Sequence, residues 1–367
     1  MHIGIMKEPS GETRVSLLPE AVATLIGKGH TIFVETGAGT LAFASDDEYV
    51  KAGATVTNAE SVIESSEILL SIHPEPVSNT RSKTLIGVYY PLVNTVSNQQ
   101  FSSHENTVFS LDMLPRTTRA QSMDILSSQA NIAGYKAVLL ASTEYSRYFP
   151  MFMTAAGSIA PAKVLILGAG VAGLQAIATA RRLGAVVEVF DTRPAVKEEV
   201  MSLGAKFIEV EGAADASQAG GYAVEQSEEF KARQNARIAE SAAKADIIIT
   251  TAQIPGRKAP ILITQDMLDS MRKGSIIIDL AASTGGNTPH TKNDESVMHN
   301  GIKIIGNSNL ARMMPADASK LYGKNIINFL QLITGEQAIY HLNLEDDLVK
   351  GTCIMKDGNI IHERLKS

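Results

Sequence analysis

A glycine-rich turn carries the strongest chemical signal in the sequence. Gly168, Gly170 and Gly173 have the spacing Gly-x-Gly-x-x-Gly, and Asp191 follows about 20 residues after the first glycine. The first glycine permits a tight turn, the second lets a pyrophosphate approach the backbone, and the third lets a helix pack closely on a strand. A carboxylate at Asp191 accepts hydrogen bonds from ribose hydroxyls and repels a 2′-phosphate. The pattern predicts a dinucleotide site that favours NAD(H) over NADP(H).

The residues around this turn supply the context that a dinucleotide site needs. The apolar run 164–167 predicts a strand before the turn, and Val171 begins the predicted helix after it. Thr192 and Arg193 follow Asp191 and belong to the same predicted cofactor-binding set, although an arginine there also suits a 2′-phosphate. The alternative is that the glycines serve only a tight turn. The strand, the helix and the acid together favour cofactor binding.

The remaining ionisable residues are less specific. Arg116, Arg119 and Asp124 lie close together near the start of a predicted long helix, 123–142. Taken alone, they indicate a capped and salt-bridged helix end. The histidines are scattered without the spacing of metal ligands, so no metal site is predicted.

The elements that must position these residues are predicted by alternating apolar runs and helical stretches. This alternation is typical of βαβ units with parallel strands. It occurs first in the opening third of the chain and restarts at residue 163. The predicted fold class is α/β, with two Rossmann-like doubly wound domains, mainly parallel sheets and a nucleotide cleft between them. A helix over 316–332 is expected to return to the first domain. The predicted domains are 1–134 with 312–367, and 135–311.

One segment interrupts the alternation. Residues 212–229 are small, polar and acidic, and the segment is longer than the ~12–15 residues usual for a structureless connection. It is either a lid or binding loop, or a tolerated surface insertion, and the sequence favours neither.

Composition excludes several classes of function. The chain has 367 residues and a formal charge of −6, which disfavours nucleic-acid binding because phosphate contacts need a basic surface. Its single cysteine, Cys353, forms no intramolecular disulfide, which suits a reducing cytosol. We expect no secretory signal, because residues 1–5 lack a charged and then apolar leader. No run approaches the ~20 apolar residues of a membrane span.

The N-terminal residues carry a resemblance to a known family. The run 7–9, followed by 12–15 and 18–19, resembles a signature shared by alanine dehydrogenases and proton-translocating nicotinamide nucleotide transhydrogenases. Residues 115–135 look like the transhydrogenase loop that holds the nicotinamide of NAD(H). Residues 220–223 resemble that family's mobile loop, and the resemblance extends over essentially the whole chain. It is strongest to the separate NAD(H)-binding chain, domain I of the alpha subunit.

The resemblance implies a role for each residue of the nicotinamide loop. Arg116 and Asp124 would pair to shape the loop and, with Ser127, bind the carboxamide. Gln121 would lie at the ring face and reach toward the second nicotinamide. Tyr222 of the mobile loop would close over the bound nucleotide.

A second matching stretch lies further along the chain. Residues 250–256 and 279–287 match the family, and they add Thr251, Ala252 and Gln253 to the predicted cofactor-binding set. Two departures affect only the adenine side. Gln253 stands where leucine is common, and Ser283 begins a pair that replaces the usual acidic residue.

The implied activity is that of a Re/Si-specific, proton-translocating NAD(P)⁺ transhydrogenase. Hydride would pass directly between NADH on this chain and NADP⁺ on a partner, the domain III or beta subunit. A separate membrane-spanning component would couple the transfer to proton passage. The resemblance also implies a homodimer, located in the cytoplasm and held at the inner face of the membrane through its partner subunits.

Two alternatives remain open at this stage. The first is an alanine dehydrogenase-like enzyme with a rewired acid–base set. That family uses a Lys, a His and an Asp, whose positions fall near His73, Tyr90 and Ser283. A tyrosine, with a pKa of ~10, is a poor proton relay at neutral pH. The second is a non-catalytic NAD(H)-binding module.

Overall fold

The structure is a computed structural model that forms two compact units. It describes residues 1–73, 80–94, 104–210, 212, 227–254, 256–335 and 338–366. One unit comprises Met1–Gln129 with Arg312–Ser367, and the other comprises Ala130–Ala311. The predicted first boundary, at residue 134, lies a few residues later within the same helix, Ile125–Glu144.

The described strands and helices alternate along most of the chain. The strands are β1 (His2–Ile5), β2 (Thr31–Glu35), β3 (Thr55–Thr57), β4 (Ile68–Leu70), β5 (Thr84–Gly87), β6 (Thr107–Ser110), β7 (Phe152–Thr154), β8 (Gly157–Ile159), β9 (Lys163–Leu167), β10 (Val186–Phe190), β11 (Lys206–Phe207), β12 (Ile247–Thr250), β13 (Ile276–Asp279), β14 (Glu295–His299), β15 (Ile302–Gly306), β16 (Cys353–Lys356) and β17 (Asn359–Ile360). The α-helices are Pro19–Gly27, Asp46–Lys51, Ala59–Ser65, Ile125–Glu144, Val171–Arg182, Lys197–Ser202, Glu228–Ala242, Gln265–Ser270, Pro315–Thr334 and Asp347–Thr352. Within the described ranges, none of these helices is both long and apolar enough to cross a membrane.

The first unit is built on a mostly parallel sheet. Its order is β17-β16-β6-β5-β4-β1-β2-β3, with β16 antiparallel to its neighbours β6 and β17. The helix Pro315–Thr334 packs on this unit. It begins at a proline, whose fixed φ suits the first helical turn. Its apolar face buries Tyr322 and Phe329 in the same core cluster as Ile3 and Ile5 of β1. The C-terminal segment therefore contributes both a helix and two strands to the first unit.

The second unit contains the glycine-rich turn. Its sheet has the order β11-β10-β9-β12-β13-β15-β14, and only the edge strand β14 is antiparallel among the described strands. The runs Ile247–Ile249 and Ile276–Ile278 are fully or almost fully buried, as expected for parallel strands covered on both faces. The prediction of an α/β fold with two Rossmann-like, mainly parallel sheets is confirmed.

The central strand of the second sheet marks a change of direction. β9 pairs with β10 on one side and with β12 on the other. The chain therefore runs outward from β9 through β10 and then returns to the opposite side. In open α/β sheets, ligands bind beyond the carboxyl ends of the strands at such a switch point.

Candidate functional site

The glycine-rich turn leaves β9 at this switch point, and each glycine has a different steric environment. Gly168 has a φ of +106°, and a Cβ there would meet the Thr251 hydroxyl oxygen at 2.3 Å. A Cβ at Gly173 would meet the Gly168 carbonyl oxygen at 1.9 Å. A Cβ at Gly170 would meet no described heavy atom within 4 Å. Gly168 and Gly173 are therefore required by the turn itself, whereas Gly170 leaves open space above its backbone.

The helix Val171–Arg182 begins directly under this open space. Gly170 is its N-cap residue, and no side chain in the described ranges caps it. The N–H groups of its first turn, together with the partial positive charge of the helix, are suited to an anion. Val171 is 38% exposed at this end. The open cradle and the uncapped helix start fit the pyrophosphate of a dinucleotide.

Asp191 is placed at the same edge because β10 lies next to β9. Its Oδ2 accepts a hydrogen bond from the Ala169 backbone N–H at 2.7 Å, which ties the acid to the glycine-rich turn. Arg193 binds the same carboxylate through its guanidinium. Thr192, between them, is partly buried. The structure thus brings the predicted ribose-binding acid and the predicted pyrophosphate-binding turn together.

The three residues after β12 complete this edge. The Thr251 N–H donates to the Leu167 carbonyl, and its hydroxyl donates to the Leu167 and Gly168 carbonyls at 3.3 Å. The Gln253 amide donates to the Leu280 carbonyl at 2.8 Å. Ala252 is held by Asn287, whose amide both donates to and accepts from the Ala252 backbone.

Asn287 and Asp279 support this edge, but the sequence did not single them out as individual residues. Both are fully buried. Asp279 accepts from the N–H groups of Ala281 and Asn287, and so fixes the segment after β13. An acidic residue at the end of an otherwise apolar strand is the signal that could have found it. No comparable local signal marks Asn287 beyond its place after two glycines.

In the first unit, two of the predicted nicotinamide-loop residues contact each other. Asp124 Oδ1 accepts from the Ser127 N–H at 2.9 Å, and Oδ2 accepts from the Ser127 hydroxyl at 2.6 Å. The first of these is the hydrogen bond of a capped helix start. Gln121 and Arg116 are exposed. The implied pairing of Arg116 with Asp124 stays a prediction.

Arg119 joins the same loop to the C-terminal segment. Its guanidinium donates to both oxygens of Asp346 at 2.7 Å and also contacts Asp347. The carbonyl of Ser122, beside Gln121, accepts from the Asn325 amide at 2.8 Å and the Asn328 amide at 3.0 Å. Sequence analysis did not identify these partners.

A buried charge cluster lies in the first unit, among residues that follow β1 and β4. Glu12 and Arg14 form a bidentate pair, with Nε–Oε1 at 2.8 Å and Nη2–Oε2 at 2.7 Å. His73 and Arg312 each approach Glu12 Oε2 at 3.2 Å. Burial alone would raise the pKa of Glu12, but the hydrogen bonds from Arg14 and His73 hold it well below its usual range. Burial raises the pKa of the neighbouring Glu8, which accepts from the Ile72 and His73 N–H groups.

Two of the positions compared with alanine dehydrogenase acid–base residues lie beside this cluster. The rings of His73 and Tyr90 stack with centroids 6.4 Å apart, and Tyr90 has a φ of +48°. Desolvation and nearby Asp112 raise the pKa of the Tyr90 phenol. The phenol therefore stays protonated at neutral pH. Arg14, the buried cation here, is already held by Glu12 and by Gln129.

One predicted site residue and its segment are not covered. Tyr222, and with it the resemblance of residues 220–223 to a mobile loop, lies outside the described residues.

Family models cover almost all of the chain. The N-terminal domain of "Alanine dehydrogenase/PNT" matches residues 4–133, and its C-terminal domain matches residues 137–363. The chain is 43% identical over 379 aligned positions to the first of the polypeptides that make up the NAD(P) transhydrogenase alpha subunit of Rhodospirillum rubrum. That alignment covers 100% of this chain and 99% of the relative.

Solved structures give the same picture. The crystal structure of transhydrogenase from Sinorhizobium meliloti has a TM-score of 0.89 and 43% identity, and the match covers 98% of this chain and 100% of that one. An L-alanine dehydrogenase has a TM-score of 0.82 and 25% identity, with 100% and 98% covered. The chain is thus more similar to these transhydrogenases than to this alanine dehydrogenase.

Proposed function

The chain belongs to the alanine dehydrogenase/PNT family, and on that basis we propose that it is the NAD(H)-binding component of a proton-translocating NAD(P) transhydrogenase. The full-length similarity to a transhydrogenase alpha-subunit polypeptide supports this assignment. The NADP(H)-binding subunit and the membrane-spanning subunit would be separate polypeptides. They would hold this chain at the inner face of the membrane, and the chain would be a homodimer.

The proposal depends most on one observation, the replacement of proton-transferring residues. Where an alanine dehydrogenase would have Lys, His and Asp, this chain has His73, Tyr90 and Ser283. Tyr90 is held neutral by its raised pKa, and a serine hydroxyl does not titrate near neutral pH. Reductive amination of a keto acid needs proton transfer, whereas direct hydride exchange between two nicotinamides does not.

The residues of the second unit would bind one end of the nucleotide. The first-turn N–H groups below Gly170 would hold the pyrophosphate, and Asp191 would accept from the adenosine ribose. Thr251, Ala252 and Gln253 would border the same edge. Tyr222 would close over the bound nucleotide. NADH, when bound, supplies the hydride that NADP⁺ on the partner accepts.

The nicotinamide loop of the first unit would set the geometry of transfer. Ser127, held by Asp124, would bind the carboxamide with Arg116, and Gln121 would orient the ring toward its acceptor. Direct transfer needs the reacting atoms about 3–3.5 Å apart, with water excluded. The loop's contribution is therefore positional, and no acid or base of this chain is required.

Absorbance at 340 nm tests this proposal. With purified chain, NADH, pyruvate and ammonium, we expect no decrease, while NADH fluorescence in the same sample shows that the nucleotide is bound. Adding the NADP⁺-loaded NADP(H)-binding subunit of a transhydrogenase should start hydride transfer. A steady decrease before that addition would identify an amino-acid dehydrogenase instead. Bound NADH with no transfer to any partner would indicate a non-catalytic binding module.

A further inference from the structure

The Asp191 carboxylate is saturated by donors of its own chain. Oδ2 accepts from the Ala169 N–H and from an Arg193 guanidinium nitrogen, both at 2.7 Å. Oδ1 accepts from the Arg193 N–H at 2.8 Å and from Arg193 Nε at 2.9 Å. An ionised carboxylate offers about four lone-pair positions. A ribose hydroxyl that approaches Asp191 must therefore displace a donor already present.

Only two of these four donors can move without unfolding the turn. The N–H groups of Ala169 and Arg193 belong to the backbone that shapes this edge of the sheet. The other two donors are on the Arg193 guanidinium, at the end of a flexible side chain that is 18% exposed, against 6% for Asp191. The hydrogen bond to Asp191 raises the pKa of Arg193, and the charge of Glu199 raises it further. Arg193 therefore stays charged throughout the physiological pH range.

We propose that Arg193 is a latch on the ribose-binding carboxylate and sets the preference of this site between NAD(H) and NADP(H). This inference rests on the proposed function. When the adenosine ribose of NADH binds, its hydroxyls take the two acceptor positions that the guanidinium held. The released cation then lies close to the ribose 2′ position, where it is suited to a phosphate.

The latch has opposite consequences for the two nucleotides. NADH must break a bidentate charge-assisted pair to bind, so the latch weakens NADH binding. A 2′-phosphate meets the negative charge of Asp191 but gains the released guanidinium, so the latch offsets part of the rejection of NADPH. Arg193 therefore narrows a discrimination that Asp191 alone would make wide.

Two substitutions separate the bidentate grip from the charge. Arg193→Gln removes both, and we expect the Kd for NADH to fall about tenfold, as for loss of one competing charged hydrogen bond, while the Kd for NADPH rises. Arg193→Lys keeps a cation but loses the planar fork. It should also tighten NADH binding, but without weakening NADPH binding. The measurement is NADH and NADPH fluorescence titration of the full chain.

Arg237→Gln is the matched control. It removes an arginine from the same unit, where Arg237 pairs with Glu240 on an exposed helix face at 3.0 Å. We expect it to change neither affinity. Thermal unfolding of each variant checks that the unit remains folded.

The outcomes distinguish the latch from the underlying function. If Arg193→Gln weakens NADH binding, or matches Arg237→Gln, there is no latch. Asp191→Ala tests the ribose contact itself and should weaken NADH binding. An unchanged affinity in that variant would refute the ribose contact, and the latch with it. Failure of the wild-type chain to bind NADH would refute the proposed function.

Discussion

At the residue scale, the three glycines of the nucleotide turn have different physical reasons to lack a side chain. Gly168 combines a positive φ with close contact to Thr251, so both strain and space exclude a Cβ. Gly173 is excluded by contact with the backbone carbonyl of Gly168, which cannot rotate away. Gly170 has an ordinary φ and open space, so the folded chain alone gives no reason for a glycine there. A bound pyrophosphate would supply that reason.

Alanine at two of these positions separates folding from binding. We expect Gly173→Ala to destabilise the chain by about 2 kcal/mol or more, because overpacking against backbone is not relieved by rotamer changes. Gly170→Ala should leave stability within about 0.5 kcal/mol of wild type. It should weaken NADH binding about tenfold or more, because its methyl group fills the space above the first helical turn.

Urea denaturation and NADH fluorescence titration measure the two effects, and each variant is the control for the other. Unchanged NADH affinity in Gly170→Ala would contradict the assignment of the pyrophosphate to this turn.

At the element scale, the predicted nicotinamide loop is held from outside by the C-terminal segment. Arg119 binds Asp346, whose carboxylate also accepts from the Leu348 and Val349 N–H groups at the start of a short helix. The helix Pro315–Thr334 supplies the two asparagine amides that bind the Ser122 carbonyl. Gln121 lies between these two attachments in sequence. Its backbone position is therefore fixed by elements more than 200 residues away.

Removal of one attachment should affect hydride transfer more than folding. In Arg119→Gln, we expect the rate of hydride transfer to the NADP(H)-binding subunit to fall about tenfold or more, because small misplacements of reacting groups are costly. The Kd for NADH should change less than about twofold. The thermal midpoint should hardly change, because exposed ion pairs contribute little to stability.

Arg81→Gln is the control for this prediction. It removes the exposed pair Arg81–Glu105 from the same unit, away from the loop. Equal rates in the two variants would show that Arg119 does not position the loop.

At the scale of the whole molecule, the chain leaves the first unit, forms the second, and returns. Residues after Ala311 add the helix Pro315–Thr334 and the strands β16 and β17 to the first unit. Tyr322, Ile326 and Phe329 of that helix are fully or almost fully buried. The first unit therefore lacks some of its core until the last residues of the chain are present.

Truncation tests this dependence. We expect a chain that ends at Ala311 to lose hydrogen-exchange protection in β4–β6, because β6 loses its neighbour β16 and the sheet loses its covering helix. Protection of β9 and β12 in the second unit should remain. A control truncation after Ile361 keeps β16 and β17 and should behave like the full chain. Full protection of β6 without residues 312–367 would contradict the expectation.

The sequence by itself determined the features that depend on neighbouring residues. Turn geometry, helix starts and buried parallel strands are local, so the glycine turn at Gly168–Gly173, the acid at Asp191 and the α/β class could all be predicted from patterns. The roles implied for Arg116, Gln121 and Tyr222 came from family resemblance, and they stay predictions.

Only the tertiary structure decided which side chains meet across the chain. The partners of Arg119 and Ser122 lie more than 200 residues away, and no local spacing marks such pairs. The Asn287 contact to Ala252 likewise joins two separate strand ends. Even the short-range pair Arg193–Asp191 became informative only when all four acceptor positions of the carboxylate were seen to be filled. Saturation of a group depends on every neighbour that folding brings to it, and a linear pattern does not contain that count.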